Sequence, residues 1–208
     1  LSDVRGFGTD GRSLFVLDAG DQELHILGTI DGTIRTVGGR GDGPGEFRDA
    51  NGLALWRDQL WVYDPASNRV SVFGANGDLR ATRPLRIASY GFLWVGGLDG
   101  EGRLYDEQMV RTPAGSTLAL RRTDFARGVV DTIPWPDCGA PPLPRFSFPR
   151  GTMLLPFGAG KYVQFDSRGF LWCADTRHFA PKRFRPGDRT PTDSVWLQAV
   201  AAPVTPQD

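Results

Sequence analysis

The stretch DQLWVYDPASNRVSVFGANGDL, residues 58–79, gives the clearest indication of the fold. It contains a strand-like run, a turn that begins at Asp64-Pro65, a second run of alternating residues and a tight turn at Asn76-Gly77. Short apolar or alternating runs separated by turn-forming residues are typical of consecutive antiparallel strands. The stretch therefore predicts strands that pair with their neighbours along the chain.

The same pattern recurs along the chain. Residues 12–34 match it at an offset of about 45 residues, and residues 169–188 form a third copy. Each copy contains a leucine, an aromatic residue, valine or cysteine, any residue, and then aspartate. The three copies are Leu14-Phe15-Val16 with Asp18, Leu60-Trp61-Val62 with Asp64, and Leu171-Trp172-Cys173 with Asp175. A weaker copy in residues 93–110 has Leu104-Tyr105-Asp106 in place of the tripeptide.

Each copy is preceded by one further strand, which ends in a polar turn. When this strand is counted, each repeated unit has four strands. Four short antiparallel strands that recur about every 45 residues are typical of a propeller blade, and no stretch shows the 3.6-residue period of a helix. We therefore predict an all-β fold, one partial β-propeller domain over residues 1–208. Its blades lie at about residues 4–37, 50–85, 91–133 and 161–200, with a proline-rich insertion at 134–160. By the repeat, Trp61 and Trp172 occupy equivalent positions and are both predicted to be buried.

The glycine-rich segment GGRGDGPGEF, residues 38–47, has three possible roles. A phosphate-binding turn would open a helix, and no helical pattern follows it. An Arg-Gly-Asp adhesion tripeptide at residues 40–42 is the second possibility. We favour the third, a connector between two blades, in which glycines permit positive φ angles and Pro44 stiffens the turn. Phe47 is predicted to fill the space between the blades.

The residues around this connector resemble a known family. GxGPGEF at residues 41–47, Gly52-Leu53-Ala54-Leu55, and LWVYDPASNRVSVF at residues 60–73 are similar to the NHL-type repeat and to related bacterial six-bladed propellers. The resemblance implies six blades, of which about four are visible here, so that the chain is a fragment. It also implies an extracytoplasmic location, periplasmic or lipid-anchored at the cell surface. Ala50 stands where the family usually has proline and Trp56 where it usually has aspartate, so no site based on that aspartate carries over.

Composition excludes several partners. Lysine plus arginine and aspartate plus glutamate each number 24, which gives a formal net charge of zero and no basic footprint for nucleic acid. No apolar run reaches the roughly 18 residues that a membrane-spanning helix needs. Cys138 and Cys173 lie 35 residues apart without metal-ligand spacing, and a bond between them is one possibility that the sequence leaves open.

Long loops concentrate on one face of the predicted propeller, which we call the connector face. It carries the loops between the second and third strands of the blades, at 18–23, 64–69 and 175–182, and the connectors 38–51 and 134–161. Long loops in a compact domain are often functional, so a ligand is expected there. The residues predicted to bind it are Asp64, Asn68, Arg69, Trp135, Asp175, Arg177 and His178. The repeated aspartates are nevertheless expected mainly to hold turns.

The sequence favours a non-catalytic scaffold that binds an unidentified protein or small molecule, with no cofactor. A purely structural module is one alternative. The other is a metal-dependent propeller hydrolase or lyase, similar to the gluconolactonase or peptidyl-hydroxyglycine lyase groups, with a divalent metal over the central channel. Such a metal site needs several converging His, Glu or Asn side chains. The chain has only two histidines and four glutamates, which makes this alternative harder to build.

Overall fold

A computed structural model describes residues 1–85, 94, 96–113, 115–139, 145–148, 151–154, 161–175 and 180–195. The chain divides into two compact units, Leu1–Trp135 with Phe165–Gly169, and Pro136–Gln164 with Phe170–Asp208. Among the described residues all regular structure is β-strand. The all-β prediction is therefore confirmed.

Four of the sheets have four antiparallel strands each, in the order of the chain, which is the topology of a propeller blade. The first blade contains β1 (Val4–Thr9), β2 (Ser13–Asp18), β3 (Glu23–Gly28) and β4 (Ile34–Gly38); the second contains β5 (Gly52–Trp56), β6 (Gln59–Asp64), β7 (Arg69–Gly74) and β8 (Leu79–Pro84). The third blade contains β9 (Gly97–Leu98), β10 (Leu104–Thr112), β11 (Gly115–Asp124) and β12 (Val129–Pro134). A two-stranded hairpin, β13 (Arg145–Phe148) and β14 (Gly151–Leu154), precedes the fourth blade, β15 (Lys161–Phe165), β16 (Leu171–Asp175), β17 (Lys182–Phe184) and β18 (Asp193–Ser194).

The first and second blades pack face to face around one apolar cluster. Its members share almost complete burial and come from both sheets and the connector between them: Phe15, Leu17, Leu24, Ile26, Phe47, Ala50, Leu60, Val62 and Phe73. The inner strands β1 and β5 approach closely because β1 has glycine where its side chains would meet β5. A Cβ atom on Gly6 would lie 2.7 Å from the Cβ of Leu53.

Phe47 is the connector residue that fills this joint, as predicted. Its side chain is fully buried, and its ring meets that of Phe73 edge to face at 5.9 Å between centroids. Gly38 leaves room for it, since a Cβ atom there would lie 2.5 Å from Cε2 of Phe47. Gly38 also has a φ of 102°, which glycine adopts without strain. The connector role of residues 38–51 follows from these contacts.

A second apolar cluster joins the second blade to the third. Trp61, only 4% exposed, lies in it and packs against Phe125 of the third blade. Trp56 also reaches the third blade: Gly102 leaves space for its indole, and its Nε1 donates to the carbonyl of Gly100 at 3.4 Å. Trp56 is thus part of the contact between the second and third blades.

In the other unit, the predicted burial of Trp172 is only half correct. Trp172 lies on β16 at the position equivalent to Trp61 but is half-buried. The guanidinium of Arg183, its cross-strand partner on β17, lies 5.8 Å from the centre of the indole ring. The insertion contains the β13–β14 hairpin, and Cys138 at its start is bonded to Cys173 of β16.

Reduction of the Cys138–Cys173 bond is expected to lower the free energy of unfolding of this unit by about 2–4 kcal/mol, because the bond closes a loop in the unfolded chain. The two cysteines are 35 residues apart. Urea unfolding with and without a reductant measures the loss. A Cys138→Ser/Cys173→Ser variant is the control and should not respond to the reductant. Equal unfolding midpoints for the oxidised and reduced protein would contradict the prediction.

Candidate functional site: the connector face

In the first two blades an aspartate at the end of the second strand holds the chain that enters the same blade. Asp18 accepts hydrogen bonds from the backbone amides of Ser2 at 2.7 Å and Asp3 at 3.0 Å. Asp64 accepts from the amides of Arg48 and Asp49, both at 3.1 Å. We call this arrangement the blade latch. Both aspartates are completely buried, and the latch explains why they recur.

The aspartates also hold their own turns, as the repeat predicts. Asp18 accepts a bond from the amide of Gly20 at 2.9 Å, and Asp64 one from the amide of Ser67 at 3.3 Å. Burial opposes ionisation of Asp18, but the amides of Asp3, Ser2 and Gly20 outweigh it and hold the pKa of Asp18 below its usual range. Each carboxylate therefore fixes the backbone of two loops on the connector face.

The latch should make stability sensitive to acid. Because the pKa of Asp18 is lower in the folded protein than its ordinary value of 3.8, its ionised form adds stability above about pH 4, and this contribution is lost as pH falls below that value. An Asp18→Asn variant is therefore expected to be less stable than wild type at pH 7, with a smaller difference at pH 3. Urea unfolding at both pH values measures this. A difference that stays constant between the two would exclude the latch as its source.

The turns after the two latch aspartates share an unusual backbone position. Gln22 and Asn68 both have positive φ, 60° and 48°. The carbonyl of each accepts a bond at 2.8 Å from the segment after the fourth strand, from the amides of Gly39 and Leu85. The exposed Asn68 is a residue type that tolerates this conformation. Its predicted contact with a ligand stays a prediction.

Gln22 has a further role that accounts for a departure from the family pattern. Its side chain is 2% exposed, and its Oε1 accepts the backbone amide of Ala50 at 2.7 Å. Proline, the usual residue here in the NHL-type repeats that the sequence resembles, has no amide hydrogen to donate. The bond to Gln22 therefore needs a residue other than proline at position 50.

Arg69 binds the connector itself. Its guanidinium donates to three backbone carbonyls, those of Asp42 at 3.1 Å, Gly43 at 3.2 Å and Glu46 at 2.6 Å. This side chain holds the glycine-rich segment in one conformation, a function that the sequence did not indicate. A carboxylate or phosphate ligand would compete with these carbonyls for the hydrogens of Nη1 and Nη2. The predicted ligand contact of Arg69 stays a prediction.

The Arg-Gly-Asp tripeptide is also engaged within the molecule. Arg40 donates to the carbonyl of Gly20 at 2.8 Å, and Asp42 forms an ion pair with Arg48. Both side chains are exposed, but each already has a partner in the adjoining loop. These contacts support the connector interpretation over the adhesion motif.

A buried ion pair of the third blade, which Tyr63 of the second blade contacts, lies close to the connector face. Asp106 is 1% exposed. Its carboxylate accepts a hydrogen bond from Nε of Arg121 at 2.9 Å and a second, shorter one from Nη2 of the same arginine. Tyr63 donates its hydroxyl to Asp106 at 3.3 Å, and its ring stacks on Trp94 with 5.0 Å between centroids. Sequence reasoning missed this group.

Burial dominates the electrostatics of this group. It raises the pKa of Asp106, and the hydrogen bonds and charge of Arg121 limit that rise. Burial and the charge of Asp106 also raise the pKa of Tyr63 above its ordinary value. Tyr63 therefore acts as a hydrogen-bond donor and stays un-ionised at neutral pH.

The third blade projects a hairpin from the connector face. Its second and third strands, β10 and β11, have 9 and 10 residues, whereas the corresponding strands of the first two blades have 6. The fourth strand, β12, pairs with β11 only from Ala119 onward, so the hairpin extends beyond it. Met109 and Leu118 are cross-strand partners on this extension and are 63% and 43% exposed. They form an apolar pair that faces solvent.

The other predicted ligand-binding residues lie in different surroundings. Trp135 is half-buried at the end of the first unit, and Asp175 is 8% exposed at the end of β16 in the second unit. Arg177 and His178 fall outside the described residues. The structure thus brings Asp64, Asn68 and Arg69 together around one loop and leaves their predicted ligand contacts as predictions.

Within the described ranges, no group of three or more His, Cys, Asp or Glu side chains is arranged to hold a metal ion. The carboxylates of the latch aspartates accept hydrogen bonds from backbone amides. A backbone N–H group is a hydrogen-bond donor and does not bind a metal ion. In that same part of the chain, no helix has the length and apolar character that crossing a membrane requires.

No family model matches the chain, and no curated protein matches it. Solved structures do. A putative exported protein from Bacteroides fragilis has a TM-score of 0.55 at 14% identity, over 92% of this chain and 50% of its own. A member of the duf4221 family from Bacteroides vulgatus has a TM-score of 0.51 at 13% identity, over 89% and 55%.

A catalytically inactive virginiamycin B lyase from Staphylococcus aureus, solved with quinupristin, has a TM-score of 0.50 at 14% identity, over 95% of this chain and 56% of its own. The chain thus spans about half the length of these three solved structures. At these identities the similarity shows the fold alone.

Proposed function

We propose that the protein is a non-catalytic β-propeller scaffold that binds a protein or a small molecule through its connector face. The observation that carries the proposal is that this face combines fixed loops with an exposed apolar projection. Blade latches and Arg69 hold the loop backbones in place, and the β10–β11 hairpin presents Met109 and Leu118 on the same face. A binding surface held rigid by its scaffold loses little entropy on binding.

The finer parts of the proposal are that the ring has six blades of the NHL type and that the protein is extracytoplasmic. The repeat and the connector residues support the first. The Cys138–Cys173 bond supports the second, since structural disulfides persist in oxidising compartments. The match to a protein described as exported is in keeping with this location.

A ligand titration tests the binding face. Two-dimensional amide spectra of the chain, recorded with a defined panel of short peptides and oligosaccharides, should show shifts at residues 18–23, 38–51, 64–69 and 108–118. A Met109→Ser/Leu118→Ser variant should weaken binding at least tenfold. Ile30→Ser is the matched control, because Ile30 is 87% exposed in the β3–β4 turn at the opposite end of the first blade. Shifts confined to that opposite end would overturn the proposal.

Metal content separates this proposal from the metal-dependent hydrolase or lyase. The scaffold is expected to purify without stoichiometric zinc or calcium and to bind its ligand equally well after treatment with a chelator. One bound divalent metal per chain, lost together with binding on chelation, would favour the enzyme instead.

A further inference from the structure

One arginine departs from the blade repeat where the second blade meets the third. Arg83 on β8 pairs with Val70 on β7. The residues at the same repeat position of the first and third blades are Val37 and Ile133, as the strand pairings of those blades show. Val37 packs against an apolar cluster, and Ile133 is buried. Because its two equivalents are apolar, the needs of a blade do not explain the charge of Arg83.

Two aromatic rings lie against the guanidinium of Arg83. Its Cζ is 5.8 Å from the ring centre of Trp61 and 5.3 Å from that of Phe125, which belongs to the turn after β11 of the third blade. Between the first and second blades the corresponding turn brings Gly77 to Val37, and a Cβ atom on Gly77 would lie 3.1 Å from Cγ1 of Val37. A cation on aromatic rings thus replaces an apolar contact, and cation–π attraction holds the guanidinium in place.

The charge of Arg83 has no acidic partner among the described residues. Its Nε is buried and has no hydrogen-bond partner in that part of the chain, whereas the side chain as a whole is only half-buried. Other arginines nearby are paired: Arg80 on the same strand with Asp58, and Arg121 of the third blade with Asp106. A partly buried cation without a counter-ion has lost hydration, and a bound anion would offset that cost.

We propose that Arg83 anchors a binding site for an oxyanion, the carboxylate or phosphate group of a small molecule, where the second and third blades meet. The N–H groups of a guanidinium form a fork that matches two oxygens of either group. Contact with Trp61 and Phe125 restricts the arginine before the anion arrives, so that little rotamer entropy is lost on binding. A role in binding also accounts for an arginine in only one of these three blades. The inference does not depend on what the connector face binds.

Titration with two probes at constant ionic strength tests the proposal. The probes are inorganic phosphate and acetyl-glycyl-glycine, whose free carboxylate is absent from the blank, the corresponding amide. The indole N–H signal of Trp61 should shift to saturation with at least one probe, and the probe that binds more tightly identifies the anion. Arg83→Val should weaken binding at least about tenfold, because charge-assisted hydrogen bonds are lost. Arg83→Lys should weaken it at least about threefold, because an ammonium group lacks the fork.

Arg80→Val is the matched control, since it removes the same charge from the same strand, and it should change neither affinity by more than about twofold. Arg83→Val introduces the residue of the first blade, so it should fold with a Tm within about 3 °C of wild type. Met109→Ser/Leu118→Ser should bind both probes like wild type, which separates this site from the connector face. Equal weakening by Arg83→Val and Arg80→Val would reveal a general response to positive charge and overturn the proposal. The absence of a saturable shift with either probe would overturn it as well.

Discussion

Replacement of Phe47 by alanine is expected to lower the free energy of unfolding by about 3–5 kcal/mol. The ring is fully buried between the first and second blades and contacts Phe73, so its removal leaves a cavity in the cluster that joins them. Backbone bonds fix the residue, since its amide donates to the carbonyl of Gly39 at 2.8 Å. The surrounding side chains therefore have little freedom to close the cavity.

Equilibrium unfolding in guanidinium chloride measures this loss. Phe7→Ala is the matched control: it removes the same side chain from a site that is 77% exposed in this chain and should cost less than about 1 kcal/mol. Phe47→Leu should recover more than half of the loss, since it retains most of the apolar volume. If Phe47→Ala were no more harmful than Phe7→Ala, the connector would not take part in the packing between blades.

The second large effect is expected at the buried ion pair. Asp106→Ala should destabilise the protein by about 3–5 kcal/mol, because it leaves the charge of Arg121 buried without its partner. The side chain of Arg121 is only 13% exposed, so water cannot replace the lost carboxylate. Asp106→Leu combined with Arg121→Met should be clearly more stable than Asp106→Ala, because an apolar pair has no charge to desolvate.

An exposed pair on the same blade provides the control. Arg122 and Asp131 are linked like Arg121 and Asp106, but their side chains are 27% and 41% exposed. Asp131→Ala should therefore cost no more than about 1 kcal/mol. Urea unfolding of all the variants at pH 7 decides the comparison. A similar cost for Asp106→Ala and Asp131→Ala would show that burial of the pair does not matter.

The blades could be predicted because their signals are local and recur. A leucine, an aromatic residue and a valine or cysteine, followed by an aspartate, mark the second strand wherever they appear, and the turn residues between strands are read within a few positions. The repetition also gave the correct role for Asp18 and Asp64, since a residue present in several blades serves the blade. The place of Phe47 followed from its position two residues after the last glycine of the connector segment.

The buried ion pair could not be predicted because it depends on cross-strand register. Asp106 falls at the position that valine occupies in other copies, which signals a buried charge in need of a partner. That partner is directly opposite on β11, because Asp106 pairs with Arg121 across an unusually long hairpin. The weak third copy does not reveal the length of that hairpin, and the apolar pair at Met109 and Leu118 was missed for the same reason.

Contacts with backbone carbonyls could not be predicted from the sequence either. Arg69 looks in sequence like a charge available to a ligand, but the carbonyls it binds belong to a segment more than 20 residues away. The bond between Cys138 and Cys173 likewise depends on the path of the insertion, and the composition of the insertion does not predict that path. Both cases require the fold before the partner can be named.

The spacing of the blade latch bears on how a protein of this kind can grow. In both blades the carboxylate and the first amide it binds are 16 residues apart, within a single repeat. A gene duplication that copies the segment from Ser2 to Phe47 would transfer a complete latch together with the phenylalanine that seals the boundary to the next blade. Each copied module would bring both its own internal closure and its means of attachment, so that ring size could change during evolution without the redesign of existing modules.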